Sequence, residues 1–115
     1  MKKALVLGCG LIGKTIALDL AQDFDVTIMD YSQQALDTLK DQPKIKKVQG
    51  SALDLDFVDE LAKDADIVVG VLPSHLEGAA QKRVIELGKN YVSPSGFLHC
   101  DGLDALAKEK GVTAV

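Results

Sequence analysis

The stretch LGCGLIGKT, residues 7–15, satisfies two glycine spacings that send the chain along different paths. Gly8-x-Gly10-x-x-Gly13 follows a strand and opens a helix near Gly10, whereas Gly8-x-x-x-x-Gly13-Lys14-Thr15 wraps an extended loop around a phosphate and starts its helix near Lys14. The flanking residues decide between them. KALVLG, residues 3–8, is a short continuous apolar run ending in glycine, as a strand buried on both faces reads. Ile12, Ile16 and Leu20 then recur four apart, so a helical stripe facing the sheet is expected to begin at Ile12. The second spacing would put Leu11 and Ile12 into a polar cradle and remove the first member of that stripe. The first spacing governs, and Lys14 is expected to point to solvent.

Asp30 supports the same choice. It closes the β-branched run DVTIMD, residues 25–30, and lies 22 positions beyond Gly8. A glycine turn after one strand and an acid ending the next are the pattern of a dinucleotide site: Gly8 makes the tight turn, Gly10 lets the pyrophosphate approach, and Gly13 lets helix and strand close together. Free N–H groups at the helix start, with the positive end of its dipole, then hold the phosphates without a lysine. VTIMD could also imitate the Mg-binding Asp of a phosphate loop, but the helical period argues against that use. A carboxylate at position 30 accepts hydrogen bonds from ribose hydroxyls and repels a 2′-phosphate. Tyr31, Ser32 and Gln33 offer no arginine to pair with such a phosphate, so NAD(H) is expected over NADP(H). Ser32 is expected to cap the next helix.

The rest of the chain keeps changing period. A helix around Ala35, Leu36 and Leu39 is stopped by Pro43, and a weaker strand occupies KIKKVQG, residues 44–50. DLDFVDELAKDAD, residues 54–66, reads as a helix with Leu55, Val58 and Leu61 on one face and acids toward its start. DIVVGVLP (66–73) is a buried strand, LEGAAQKRVIELGK (76–89) a helix ending at Gly88, and NYVSPSG (90–96) a short strand running into a loop. DGLDALAKEKG (101–111) and VTAV (112–115) read as a last helix and strand. Strands alternating with single helices imply an α/β fold: a doubly wound, parallel six-stranded sheet of the Rossmann type, order 3-2-1-4-5-6, with residues 1–115 forming one dinucleotide-binding domain.

Composition narrows the function classes. Of 115 residues, 47% are hydrophobic and 26% charged, and the formal net charge is −4 with a pI near 5.0. An acidic chain lacks the basic face that nucleic acid requires, and the lysines of KIKK, residues 44–47, read as solvated edge charge. The N-terminal apolar run falls well short of a membrane span or signal segment, so a cytoplasmic location without membrane contact is expected. Cys9, Cys100, His75 and His99 show no ligand-pair spacing, and no metal site is expected.

From the fourth strand onward the chain acquires a more specific likeness. DADIVVGVLPSHLEGAAQKRVIELGKNYVSPS, residues 64–95, resembles the saccharopine dehydrogenase-like family, which includes saccharopine reductases, lysine dehydrogenases and carboxynorspermidine synthases. The resemblance implies Gly8, Gly10, Leu11, Ile12 and Gly13 around the pyrophosphate and Asp30 and Tyr31 at the adenosine ribose. It implies Ser51 and Ala52 beside the adenine, and Leu72, Pro73 and Ser74 bordering the nicotinamide ribose. Two positions depart from the family pattern: Ser93 stands where an Asp is common, and Ser51 where an acid is frequent. Family enzymes continue past the sixth strand into a second domain that supplies substrate contacts and oligomer interface. The resemblance therefore leaves two expectations. One is the cofactor domain of a longer enzyme, with a substrate domain outside this chain, an amino-acid-like substrate and self-association; the other is a free-standing cofactor-binding protein.

The chemistry so implied is hydride transfer between a nicotinamide ring and the carbon of an amino-acid C–N bond, with a general acid or base handling the amine proton. His75 and His99 are the candidate proton carriers, each equally readable as an ordinary loop histidine, and no catalytic residue is assigned. Cys9, at a helix start where thiolates are stabilised, reads either as a small residue filling the turn or as an oxidation-sensitive gate. A second class stays open: the glycine loop, strand-two acid and sheet also resemble nucleotide-sensing regulatory domains of potassium transport systems.

Overall fold

The computed structural model describes residues 2–72, 74–93 and 110–111, residues 74–77 by backbone alone. Strands β1 (Lys3–Leu7), β2 (Asp25–Asp30), β3 (Ile45–Gln49), β4 (Ile67–Gly70) and β5 (Asn90–Val92) alternate with helices α1 (Leu11–Leu20), α2 (Gln33–Asp37), α3 (Leu55–Ala62) and α4 (Ser74–Glu86). Among the described residues the strands form one five-stranded sheet, order β3-β2-β1-β4-β5. Every pairing is parallel, with Val6 of β1 opposite Ile28 of β2 on one side and Val69 of β4 on the other. The last expected strand, residues 112–115, and nearly all of the helix before it lie outside the described residues.

The central strand explains the layering. Side chains alternate across a strand, so Ala4 and Val6 enter one core while Leu5 and Leu7 enter the other. On the first face Ala17 of α1 and Leu36 and Leu39 of the α2 region pack over Val26, Ile28 and Ile45. On the second, Val58 and Ala62 of α3 and Ala80, Val84 and Ile85 of α4 cover Leu5, Leu7, Val68 and Tyr91. The strand order reverses between β1 and its neighbours β2 and β4, which places a crevice at the carboxyl ends of these strands.

Helix boundaries follow from local chemistry. Ser32 caps α2, its hydroxyl accepting from the Ala35 amide at 3.2 Å, and Asp54 caps α3 by accepting from the Phe57 amide at 3.2 Å. Gly88, with φ +77, lets the chain leave α4 in the left-handed conformation expected of a C-terminal glycine.

The stripe expected along α1 is displaced by one residue. Gly13 and Ala17 are its buried members, Ile16 and Leu20 flank them half-buried, and Ile12 is 60% exposed. The helix lies too close to β1 for a branched side chain at the centre of contact, so the smallest residues take the inner line. Lys14 is also half-buried rather than directed fully to solvent. Among the described residues no helix is long and apolar enough to cross a membrane.

Candidate nucleotide site at the carboxyl edge of the sheet

β1 ends at Leu7, and Gly8 turns the chain with φ +109, a region closed to most L-residues. A Cβ at Gly8 would stand 2.8 Å from the Val71 carbonyl oxygen. At Gly13 a Cβ would overlap the Gly8 carbonyl oxygen and approach Val71 Cγ2 to 2.7 Å, so the third glycine sets how closely α1 approaches the turn. Gly10 is different: it is exposed, and a Cβ there meets nothing within 4 Å. A surface left open beside backbone amides is what a phosphate needs.

α1 begins at Leu11, with Gly10 as its N-cap and no side chain completing the cap. The first-turn amides therefore lack intrahelical acceptors, and the dipole adds positive potential at the same point. The helix start near Gly10 is the geometry of the Gly-x-Gly-x-x-Gly reading. Thr15, which a phosphate loop would turn toward a metal ion, instead donates its hydroxyl to the Leu11 carbonyl at 2.9 Å. Leu11 and Ile12 are 83% and 60% exposed, on the outer side of the first turn.

Asp30 ends β2 beside this turn. Its Oδ2 accepts from the Cys9 amide at 2.6 Å and its Oδ1 from the Ser32 amide at 2.8 Å. The Gly8 amide donates to the Met29 carbonyl at 2.7 Å, so two successive amides of the turn are fastened to the end of β2. The Cys9 side chain is buried at 4% exposure, and its thiol donates to the Ala35 carbonyl at 3.4 Å. Burial pushes this thiol up from its ordinary value, and the Asp30 carboxylate adds to the shift. Lys14 and a hydrogen bond with Thr38 act in the opposite sense. The thiolate expected at a helix start is thus disfavoured, and Cys9 fills the turn.

A cleft of about 510 Å³ opens beyond Asp30, lined by Asp30, Tyr31, Ser51, Ala52 and Leu72 together with residues the sequence did not single out, Met29, Gly50 and Leu53. Met29 follows from the strand-end rule applied to β2 itself, and Gly50 and Leu53 could have been found by extending that rule to β3 and its following turn. The Ser51 hydroxyl accepts from the Leu53 amide at 3.1 Å, which shapes that turn. Tyr31 and Leu53, 78% and 63% exposed, form the outer rim. Asp30, Tyr31, Ser51, Ala52 and Leu72 are therefore brought to one cleft, and Gly8, Gly10, Leu11, Ile12 and Gly13 to the adjoining turn and first turn of α1. Ser74 opens α4 on the backbone, while Pro73 and His99, and the side chains of Ser74 and His75, lie outside the described residues. A second cleft of about 550 Å³ lies at the opposite end of the sheet, where Lys3, Lys44 and Lys46 face Asp25, Glu60 and Asp64. Lys44 and Lys46 of the KIKK run thus sit among carboxylates at the strand starts, while Lys47 donates to the Gln42 carbonyl at 2.8 Å.

Fold and loop together define a dinucleotide-binding domain of the Rossmann type. Residues 4–115 match the family model described as "Saccharopine dehydrogenase NADP binding domain", and the chain belongs to that family. Apo saccharopine dehydrogenase (L-Glu forming) from Saccharomyces cerevisiae superposes with a TM-score of 0.79 at 20% identity, covering 99% of this chain and 26% of that one. The TrkA-N domain of the inner membrane protein YbaL from Escherichia coli gives a TM-score of 0.71 at 19% identity, covering 99% of this chain and 86% of that one. The Trk system potassium uptake protein TrkA of Haemophilus influenzae is 36% identical over 74 residues, 63% of this chain and 16% of that protein. The chain thus spans about a sixth of that relative's length.

Proposed function

We propose that this chain binds NAD(H) at the carboxyl edge of its sheet and serves as the cofactor domain of an oxidoreductase acting on an amino-acid C–N bond. The observation that carries the cofactor choice is the Asp30 carboxylate at the mouth of the cleft, hydrogen-bonded only to backbone amides at 2.6 and 2.8 Å among its described partners. A carboxylate has roughly four lone-pair sites, so about two stay available for the two ribose hydroxyls. A 2′-phosphate donates no hydrogen bond and brings negative charge against the carboxylate. The family description names NADP, whereas the residues at this position favour NAD.

In this reading the first-turn amides of α1, Gly10 to Gly13, hold the pyrophosphate, Asp30 and Tyr31 the adenosine ribose, and Ser51 and Ala52 the adenine. Leu72, Pro73 and Ser74 border the nicotinamide end. The nicotinamide ring, once held there, supplies the hydride-transfer chemistry. This chain contributes binding, orientation and exclusion of water, and groups outside residues 1–115 contribute the substrate contacts. Family membership supports the amino-acid C–N assignment.

Calorimetric titration with NADH, NADPH and Mg-ATP tests the reading. NADH is expected to bind at least roughly tenfold more tightly than NADPH, the value of one hydrogen bond to a charged group, and Asp30→Ala to abolish that preference. Tight Mg-ATP binding with no response to NADH would overturn it. The likeness to TrkA and to the TrkA-N domain supports a second reading, a nucleotide-sensing regulatory domain. Catalytic turnover of an amino acid by the protein that carries this chain favours the first, and ligand-dependent control of a membrane transporter the second.

A further inference from the structure

We infer that Asp30 is also the positioning residue of the glycine turn: its carboxylate holds the Cys9 amide, and through it the Gly8–Gly13 backbone, in the shape that receives phosphate. The inference rests on the dinucleotide-binding reading but concerns a different contact from the ribose. The 2.6 Å bond from the Cys9 amide is the shortest hydrogen bond among the described residues of the site, and it joins two segments 21 residues apart in sequence. Hydrogen bonds to a charged acceptor are shorter and stronger than neutral ones. The other carboxylate oxygen holds the Ser32 amide at the entrance to α2, and the Cys9 thiol reaches the Ala35 carbonyl in the same helix. One carboxylate thus ties the β1–α1 turn to the β2–α2 connection.

This bonding has a consequence for the phosphate site. The Cys9 amide is committed to Asp30, so the pyrophosphate is received by amides farther along, where Gly10 leaves the surface open. Electrostatics alone makes the opposite forecast for a substitution. Removing a negative charge beside an anion site strengthens anion binding, so a loss of phosphate affinity on removing Asp30 reports the turn itself.

The probe is 2′,3′-dideoxyadenosine 5′-diphosphate, which carries a pyrophosphate and no ribose hydroxyl for Asp30 to accept. Calorimetric titration of the wild type, Asp30→Ala and Asp30→Asn is combined with the NMR shift of the Cys9 amide proton in the ligand-free proteins. Asp30→Ala is expected to bind the probe roughly tenfold more weakly, matching the loss of one charge-assisted hydrogen bond, with the Cys9 amide proton moved upfield. Asp30→Asn keeps one acceptor oxygen and is expected to fall between the two, and it carries the comparison should the alanine variant not fold. Equal or tighter probe binding by the variants, or an unmoved Cys9 resonance, overturns the inference while leaving ribose recognition intact. A wild type that binds neither NADH nor the probe overturns the dinucleotide reading instead.

Discussion

A methyl group added at Gly13 would overlap the Gly8 carbonyl oxygen and stand 2.7 Å from Val71 Cγ2. In an unobstructed helix, glycine to alanine stabilises by about 0.8–1.0 kcal/mol, so the substitution would ordinarily raise the melting temperature. Overpacking a tight contact costs about 1–3 kcal/mol, and here the obstacle is backbone, which yields less readily than a side chain. Gly13→Ala is therefore expected to lose about 1–2 kcal/mol net, a fall of roughly 4–10 °C for a domain of this size. NADH affinity should fall with it, because α1 must withdraw from the turn. Gly10→Ala is the matched control: φ there is −81°, and nothing lies within 4 Å of the new Cβ. Its stability should drop by only about 0.5 kcal/mol, the cost of a poorer N-cap, while NADH binding weakens about tenfold because the methyl group stands where phosphate approaches. Thermal unfolding by circular dichroism and titration calorimetry read the two quantities separately. An unchanged or raised melting temperature for Gly13→Ala refutes the close approach of α1 to the turn. Equal stability losses in both variants refute the division of roles between the glycines.

Two further outcomes check the environment of α1. At pH 8, iodoacetamide followed by peptide mapping should modify Cys9 at least about tenfold more slowly in the folded protein than in urea, because the thiolate is the reactive form and burial disfavours it. Equal rates in the two states exclude the buried-thiol account. Because the native state holds this proton more tightly than the unfolded chain, the associated stabilisation is present below the ordinary thiol range. It is lost as pH rises through the elevated folded value. Ile12→Ser should change stability by no more than about 0.5 kcal/mol, whereas Ala17→Leu, at a position of 0% exposure, should cost about 1–3 kcal/mol. Urea unfolding measures both, and a reversed order restores the stripe that begins at Ile12.

Much of the architecture could be read from residue types. DVTIMD becomes β2 over the same six residues, because an apolar run bounded by Asp at each end has little freedom of register. Ser32 caps α2 as its hydroxyl and position foretell, and Asp30 ends β2 at the cleft. The inner line of α1 escaped because period counts apolar side chains and does not see how near the helix lies to its strand. At the closest approach glycine and alanine win over isoleucine. The bond from the Cys9 amide to Asp30 escaped because a backbone donor carries no signature in the residue's identity. Gly50 and Leu53 joined the cleft through the path of the turn after β3, a geometry that composition does not encode, and Met29 joined it as the neighbour of Asp30 on β2.

The uncapped start of α1 sets stability against function. A Ser, Thr, Asp or Asn at the Gly10 position would stabilise the free protein by about a few tenths of a kcal/mol, since such side chains satisfy a first-turn amide. It would also fill the one place on the turn where a Cβ meets nothing. The helix is thus least secure in the absence of ligand, at the point where an anion supplies the missing acceptor. Saturating ligand at a hundredfold over its Kd would return about 2.7 kcal/mol to the native state by mass action. Substitutions at Gly10 selected for thermostability alone are the ones most apt to abolish binding.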